Sequence, residues 1–343
     1  MDVLTALSSQ SNYSKSQLQF ILAGWVLAGA VEGEQKISLA DGDVAEESYD
    51  KASLYSLLYA LYRVMEGART EHGVPYDFTF NTWGYVWPAA WGDDPVSSTD
   101  PQRFGRTAYT GLYHFPDVRA YLAGRGGKVH VTELGCGTGA GAHHVCSQVL
   151  PDCTYEAVDM QQAAIATCER KFVGELKGRL TATCSDVTRL DRAASSSDII
   201  AVNETHVTEM VGVVTEEDER FFGKAHQLLK PGGYLVWGNA IPDATWDPCF
   251  KLLERLGFKI REANDVTAEA VRARDLDKAR IDAYVSQCID AFHAFKVPVL
   301  GRRRRDQADV ALKNFARNPG TRLYQNMADG TDTYRVLVAE KVA

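Results

Sequence analysis

Downstream of Gly124-Arg125-Gly126-Gly127 the chain alternates short apolar runs with longer stretches whose apolar residues recur at helical spacing. The runs predict strands at 128–134, 154–159, 180–185, 197–202, 233–238 and 257–262, and the stretches predict helices near 139–150, 161–173, 216–229 and 246–256. Such alternation is the mark of a parallel sheet with crossover helices. Lys230-Pro231-Gly232-Gly233 ends the helix at 216–229, because proline cannot continue it and glycine permits the turn into the next strand. From about Val266 to Arg322 the pattern is helical and charged, and Tyr334-Arg335-Val336-Leu337-Val338-Ala339 predicts a last strand. Upstream of the glycines the spacing differs. Gln17–Leu27 and Tyr49–Met65 suit helices packed on a partner. A segment from Tyr76 to Pro88, with Trp91 behind it, is rich in rings and poor in aliphatics, which suits a pocket wall or an aromatic cluster fixing a cap. The division this suggests is an N-terminal helical and aromatic cap at 1–125 and an α/β domain at 126–343, interrupted by a helical insertion at 266–322.

Composition narrows the class. With 45% hydrophobic and 24% charged residues the chain reads as a soluble globular protein. A net charge of −8, spread along the chain, argues against a nucleic-acid partner. Leu18–Val31 is the one long apolar stretch, shorter than the about 20 residues that span a bilayer. No basic region directly precedes it, as a signal peptide would require. It suits a buried helix or a subunit contact, which leaves room for a homodimer; a membrane partner is not expected and a cytoplasmic location is. The seven cysteines, at 136, 146, 153, 168, 184, 249 and 288, include no Cys-x-x-Cys pair and read as reduced, buried thiols.

The chemistry concentrates in Val131-Thr132-Glu133-Leu134-Gly135-Cys136-Gly137-Thr138-Gly139-Ala140-Gly141, which follows a strand and opens a helix. Glycines there permit a tight turn and let backbone N–H groups approach a ligand. Gly135-x-Gly137-x-x-Ala140 also fits a dinucleotide fingerprint. Glu133, two residues before the first glycine, gains nothing from an anionic pyrophosphate but would favour an ammonium group and a sulfonium. The second strand ends in Asp159, placed to accept from ribose hydroxyls. The third closes on Cys184-Ser185-Asp186-Val187, whose acid suits an adenine amino group.

The Glu-x-Gly-x-Gly-x-Gly run, Asp159, Ser185-Asp186 and Leu229-Lys230-Pro231-Gly232-Gly233 resemble the ordered motifs of class I S-adenosylmethionine-dependent methyltransferases. The resemblance covers about residues 126–262 and the final strand. It implies a doubly wound, mostly parallel, Rossmann-like sheet of seven strands with the last inserted antiparallel, and S-adenosylmethionine as cofactor. It further implies that Glu133, Gly135, Gly137 and Gly139, with Cys136, hold the methionine part. Asp159 with Met160 would hold the ribose and Ser185, Asp186 and Val187 the adenine, while Asn203 closes the site at the end of the fourth strand.

In this fold the fourth strand, ending Ala201-Val202-Asn203-Glu204-Thr205-His206, faces the transferable methyl. His206 is the candidate general base for a hydroxyl acceptor, and Glu204 would position it or act itself. The family's Asn-Pro-Pro-Tyr signature is absent and no acidic metal triad is apparent, so a small-molecule acceptor, O-methylation ahead of N or C, and no metal are expected. Tyr85, Trp87, Tyr109 and His114 are candidate pocket residues, and Arg303, within Arg302–Arg305, a candidate clamp for an anionic group on the substrate. A nicotinamide-dependent oxidoreductase and a non-methylating cofactor-binding protein are the competing readings.

Overall fold

The computed structural model describes residues 80, 82–126, 128–205, 211–294, 313 and 316–342, with the backbone alone at 287–294. The helices expected at Gln17–Leu27 and Tyr49–Met65, the apolar Leu18–Val31, His206 and Arg302–Arg305 lie outside these residues. Packing divides the chain into two units. One consists of Thr79–Ala273 with Met327–Ala343; the other includes Arg274–Asn326. The end of the aromatic segment and the two helices that follow it, α1 (Arg103–Gly111) and α2 (Pro116–Gly124), belong to the first unit.

That unit is built on a seven-stranded sheet: β1 (His130–Leu134), β2 (Thr154–Asp159), β3 (Leu180–Cys184), β4 (Ser197–Asn203), β5 (Leu229–Pro242), β6 (Phe258–Asp265) and β7 (Asp332–Lys341). The order is β3-β2-β1-β4-β5-β7-β6. The first five strands pair in parallel, and β7 enters antiparallel between β5 and β6. This is the sheet expected from the sequence. Every residue of β4 is buried, as a central parallel strand covered on both faces requires. The crossovers carry α3 (Ala140–His144), α4 (Gln162–Cys168), α5 (Glu216–Leu228) and α6 (Trp246–Arg255).

Two helices and the ends of two strands differ from the sequence reading. The helices expected at 139–150 and 161–173 each change winding partway: α3 continues as a π-helical turn at Val145–Val149, and α4 as another at Glu169–Val173. β5 begins at Leu229, because Leu229 already pairs with Ser197 and Lys230-Pro231-Gly232-Gly233 forms a bulge before Ile199 meets Tyr234. Gly232 takes the left-handed φ of +73° that the bulge needs. β5 and β6 also run longer than 238 and 262, since β7 pairs with them as far as Pro242 and Asp265. Pairing across the sheet, invisible in local spacing, extends both.

Phe222, Trp237, Trp246 and Leu253 form the centre of a core between the sheet, α5 and α6. Thr215 and Asp218 cap α5 reciprocally, each side chain accepting from the other's backbone amide. The amino ends of the central strands are joined through Asp198, buried on β4. Its carboxylate accepts from the Tyr121 hydroxyl (3.1 Å), Arg125 Nε (3.2 Å), the His130 amide (2.9 Å) and Lys230 Nζ (2.8 Å). Burial raises its pKa, but the His130 amide and Lys230 outweigh that and hold the group below its ordinary 3.8.

Arg274–Asn326 contains most of α7 (Thr267–Ala294) and the start of α8 (Arg322–Ala328). Within it Asp282 accepts from Lys278 Nζ (2.5 Å) and Asn318 Nδ2 (2.6 Å), and Asp275 accepts from the Tyr324 hydroxyl (2.8 Å). Among the described residues no helix is long and apolar enough to cross a membrane.

Asp198→Asn is expected to cost about 1.5–3 kcal/mol, the scale of hydrogen bonds to a charged group. A carboxylate held below 3.8 contributes fully above that pH and loses its contribution on acidification. Urea unfolding through the acid range should therefore show a shallower acid-side loss in Asp198→Asn than in the parent.

Candidate functional site

The carboxyl ends of β1, β2, β3 and β4 converge on the loop Gly135–Gly139 between β1 and α3. Gly135, Gly137 and Gly139 all have left-handed φ, +84°, +54° and +80°. The sequence argument had these glycines opening the backbone to a ligand; the structure gives a different reason at two of them. A Cβ on Gly135 would lie 2.1 Å from the Thr205 side chain, and one on Gly139 would lie 2.2 Å from Cys168 Sγ. The loop's amides are likewise engaged by the protein. Gly135 N–H and Cys136 N–H both donate to the Val158 carbonyl (2.8 and 2.9 Å), Gly137 N–H to Asp159 Oδ2 (2.8 Å), and Gly139 N–H to the Cys136 carbonyl (3.1 Å). A loop that cradles pyrophosphate keeps its amides for the phosphate oxygens. This one does not.

Glu133 is fully buried at the end of β1. Its Oε2 accepts from the Tyr155 hydroxyl (3.0 Å), while Oε1 has no hydrogen-bond partner. Burial pushes its pKa up to about 7, against the opposing hydrogen bond from Tyr155. Asn203, at the end of the adjacent β4, is also buried; its Oδ1 lies 3.4 Å from the Tyr334 hydroxyl and its Nδ2 has no partner. Tyr109 on α1 packs against α3 so closely that a Cβ on Gly141 would fall 1.9 Å from its ring. The charge of Glu133 raises the Tyr109 pKa after burial itself.

Asp159 ends β2 with both oxygens engaged, Oδ2 by Gly137 N–H and Oδ1 by Gln161 N–H (both 2.8 Å). Each oxygen keeps a second lone pair for a ligand hydroxyl. Burial pushes Asp159 up to about 6, against those two amides. Met160 beside it is 61% exposed. The Ser185 amide donates to the Asp159 carbonyl (3.0 Å), and Ser185 Oγ donates to the Asp186 carbonyl (2.9 Å). Asp186 Oδ1 accepts from Thr188 N–H and Thr188 Oγ1 (both 2.8 Å), capping the 3-10 turn Val187–Arg189. Val187 is in the core under α5. Among the described residues no group of three His, Cys, Asp or Glu side chains is arranged to hold a metal ion.

The other candidates separate. Tyr85, Trp87 and His114 are not at the loop but in an aromatic cluster. Tyr85 meets Tyr334 edge-on at 5.5 Å, Trp87 meets Trp91 at 5.2 Å, and His114 stacks on Trp91 at 5.2 Å. Of the adjacent histidines, His143 stacks on Phe172 and pairs with Glu175, whereas His144 is buried against Thr110 and Arg106. Glu204, with φ +48°, accepts at Oε1 from the Thr82 hydroxyl and from Trp83 N–H (2.7 Å), with Oε2 2.9 Å from the same amide. Sequence reasoning missed Thr205, whose hydroxyl lies 3.0 Å from the Gly135 carbonyl, together with Tyr155, Thr82 and Trp83. Thr205 does lie between two positions that were singled out, Glu204 and His206, and Tyr155 four residues before Asp159. Nothing in the local sequence ties 82–83 to 204.

Residues 131–233 match the family model of a methyltransferase domain. Two curated proteins of Mycobacterium ulcerans (strain Agy99) are similar. One, named "Probable phthiotriol/phenolphthiotriol dimycocerosates methyltransferase 2", is 26% identical over 63% of this chain and 77% of its own. The other, "Phthiotriol/phenolphthiotriol dimycocerosates methyltransferase 1", is 25% identical over 65% and 76%. The crystal structure of the [4+2]-cyclase SpnF shares the fold, with a TM-score of 0.54 and 17% identity over 85% of this chain and 96% of that one.

Gly139→Ala is expected to cost about 1–2 kcal/mol for the left-handed backbone and a further 1–3 kcal/mol, roughly, for overpacking against Cys168. Adding Cys168→Ala, which removes Sγ but keeps a Cβ 2.8 Å from the new methyl, should recover part of the second cost and none of the first. Denaturant unfolding of the single and double variants separates the two.

Proposed function

For a chain that is a class I S-adenosylmethionine-dependent methyltransferase, we propose that the methyl group goes to a hydroxyl oxygen of a small or lipid-like acceptor in the cytoplasm. S-adenosylmethionine, when bound, supplies a methyl carbon made electrophilic by its sulfonium. The observation that carries its placement is the pair of buried groups on neighbouring strand ends, Glu133 and Asn203, whose Oε1 and Nδ2 lack a well-formed hydrogen bond and whose side chains share the Tyr109 hydroxyl as a neighbour. One accepts and the other donates, which suits the ammonium and carboxylate of the cofactor's amino-acid end. Asp159 then takes the ribose hydroxyls with its remaining lone pairs, Met160 covers the nucleoside, and Asp186 with Ser185 receives the adenine amino group.

A hydroxyl acceptor must lose a proton as its oxygen is methylated, and a base near the end of β4 would assist. We assign that role to His206, three residues beyond Asn203. Glu204 is left out of the proton transfer, because its carboxylate holds Thr82 and Trp83. The curated relatives are named for phthiotriol dimycocerosates, and a triol is a hydroxyl acceptor, which supports oxygen over nitrogen. The acceptor side is assigned to Tyr109 and the segment 82–87.

Two outcomes test this reading. Glu133 is neutral below about pH 7 and ionised above it, and only the ionised carboxylate attracts an ammonium. Cofactor affinity measured by calorimetry should therefore rise with pH through that value and level off, and in Glu133→Gln it should be weaker and flat from about pH 7 upward, where Asp159 is already ionised. A parent profile that is also flat would take Glu133 out of the ammonium's reach. For the base, His206→Ala should lower turnover by about 10²–10⁴-fold at neutral pH while leaving cofactor affinity close to the parent's. An amine acceptor would instead lose little once the pH is raised, since it needs only a neutral lone pair.

A further inference from the structure

Three consecutive residues at the end of β4 bond three different parts of the fold. Asn203 lies against the Tyr334 hydroxyl of β7, Glu204 accepts from Thr82 and Trp83 of the aromatic segment, and Thr205 donates to the Gly135 carbonyl of the glycine loop. The backbone amide of Glu204 is fixed as well, donating to the Gly238 carbonyl of β5 at 2.8 Å. Glu204 holds this place in the left-handed region, φ +48°, where a residue with a Cβ is disfavoured. A non-glycine residue kept there points to a use for its side chain.

The receiving end is built to transmit position. Thr82 Oγ1 donates to Glu204 and accepts from the Gly84 amide (3.2 Å), so the hydroxyl orients the turn that follows it. Gly84, at φ +61°, packs on α1 so tightly that a Cβ would lie 2.5 Å from the Phe104 carbonyl oxygen. The segment is thus held by α1, by the Glu269 carbonyl, which accepts from the Val86 amide (3.1 Å), and by the Glu204 carboxylate. The same carboxylate faces the buried hydroxyls of Tyr85 and Tyr334, whose pKa values burial raises first and its charge raises further.

We propose that Glu204 is a positioning residue that couples occupancy of the glycine loop to the placement of residues 82–87, through Gly135, Thr205, Glu204 and Thr82-Trp83 in turn. A cofactor seated on the loop suppresses local opening of the Gly135–Thr205 contact and, next to it, of the turn that carries Glu204. The acceptor side is then set only when the methyl donor is in place. The inference rests on the reading that S-adenosylmethionine is held at this loop.

The probe is S-adenosylhomocysteine, and the readout is hydrogen exchange of the backbone amides at 82–87, the Trp83 amide above all, since its partner is the Glu204 carboxylate. In the parent, saturating S-adenosylhomocysteine should slow that exchange about tenfold or more, the signature of a suppressed local opening. Glu204→Gly suits the left-handed backbone and is expected to fold and bind S-adenosylhomocysteine, but the slowing at 82–87 should be lost. Glu204→Gln keeps one acceptor oxygen within reach of both Thr82 and Trp83 and should restore most of it, which loss of a base would not allow. Equal slowing in Glu204→Gly and the parent overturns the coupling, as does a parent that binds the probe with no change at 82–87. If the parent does not bind S-adenosylhomocysteine, the cofactor reading fails and the coupling falls with it. Thr205→Val serves as the second variant: it too should bind the probe without slowing 82–87, and full slowing there would remove Thr205 from the chain of contacts.

Discussion

The loop between β1 and α3 turns inside the protein, so its backbone amides need partners away from water. The Val158 carbonyl takes two of them and Asp159 a third, and both acceptors sit at the last residues of β2. The position of Asp159 is therefore set by the loop it supports, and the parallel register of β1 with β2 puts them side by side. The Gly135 carbonyl, facing the other way, is met by Thr205 at the end of β4. Two neighbouring strands thus hold the loop from opposite sides. With four of its amides spent on the protein, the loop offers little to a phosphate. What it presents are carboxylates.

Those carboxylates are costly to hold. Glu133 and Asp159 are both buried, and both titrate above their ordinary values because the ionised forms have lost water. The hydrogen bonds from Tyr155, Gly137 and Gln161 offset only part of that loss. A cationic ligand with hydroxyl groups supplies what is missing, and this matches S-adenosylmethionine better than a nicotinamide dinucleotide. An acid poised near neutrality is a common feature of ligand sites, where binding completes an arrangement the empty protein leaves unfinished.

The aromatic segment shows the opposite economy. Tyr85, Trp87, Trp91, His114 and Tyr334 pack on one another, edge to face except where His114 stacks on Trp91, and the cluster reaches β7 through Tyr334. The end of β4 meets it twice, through the Glu204 carboxylate on Thr82 and Trp83 and through Asn203 beside the Tyr334 hydroxyl.

The sequence alone determined the strands of the sheet, the crossover helices between them, the glycine loop and the acids at the ends of β1, β2 and β3, but not α1 and α2. These are local features: apolar periodicity, glycines at the left-handed positions of the loop, and a charged residue at the end of an apolar run. It also identified the family motifs that imply an antiparallel last strand, and β7 is antiparallel. Only the tertiary structure decided what each residue meets. Gly139 is required by Cys168 on the next helix, Glu133 by Tyr155 on the next strand, and the length of β5 by its pairing with β7. Glu204 read as a candidate base because its carboxylate follows the strand that faces the methyl. Its partners are 121 and 122 residues away in the chain, and no pattern of spacing connects them. Side chains that act through long-range hydrogen bonds leave no period in the sequence, so their roles appear only once the chain has folded back on itself.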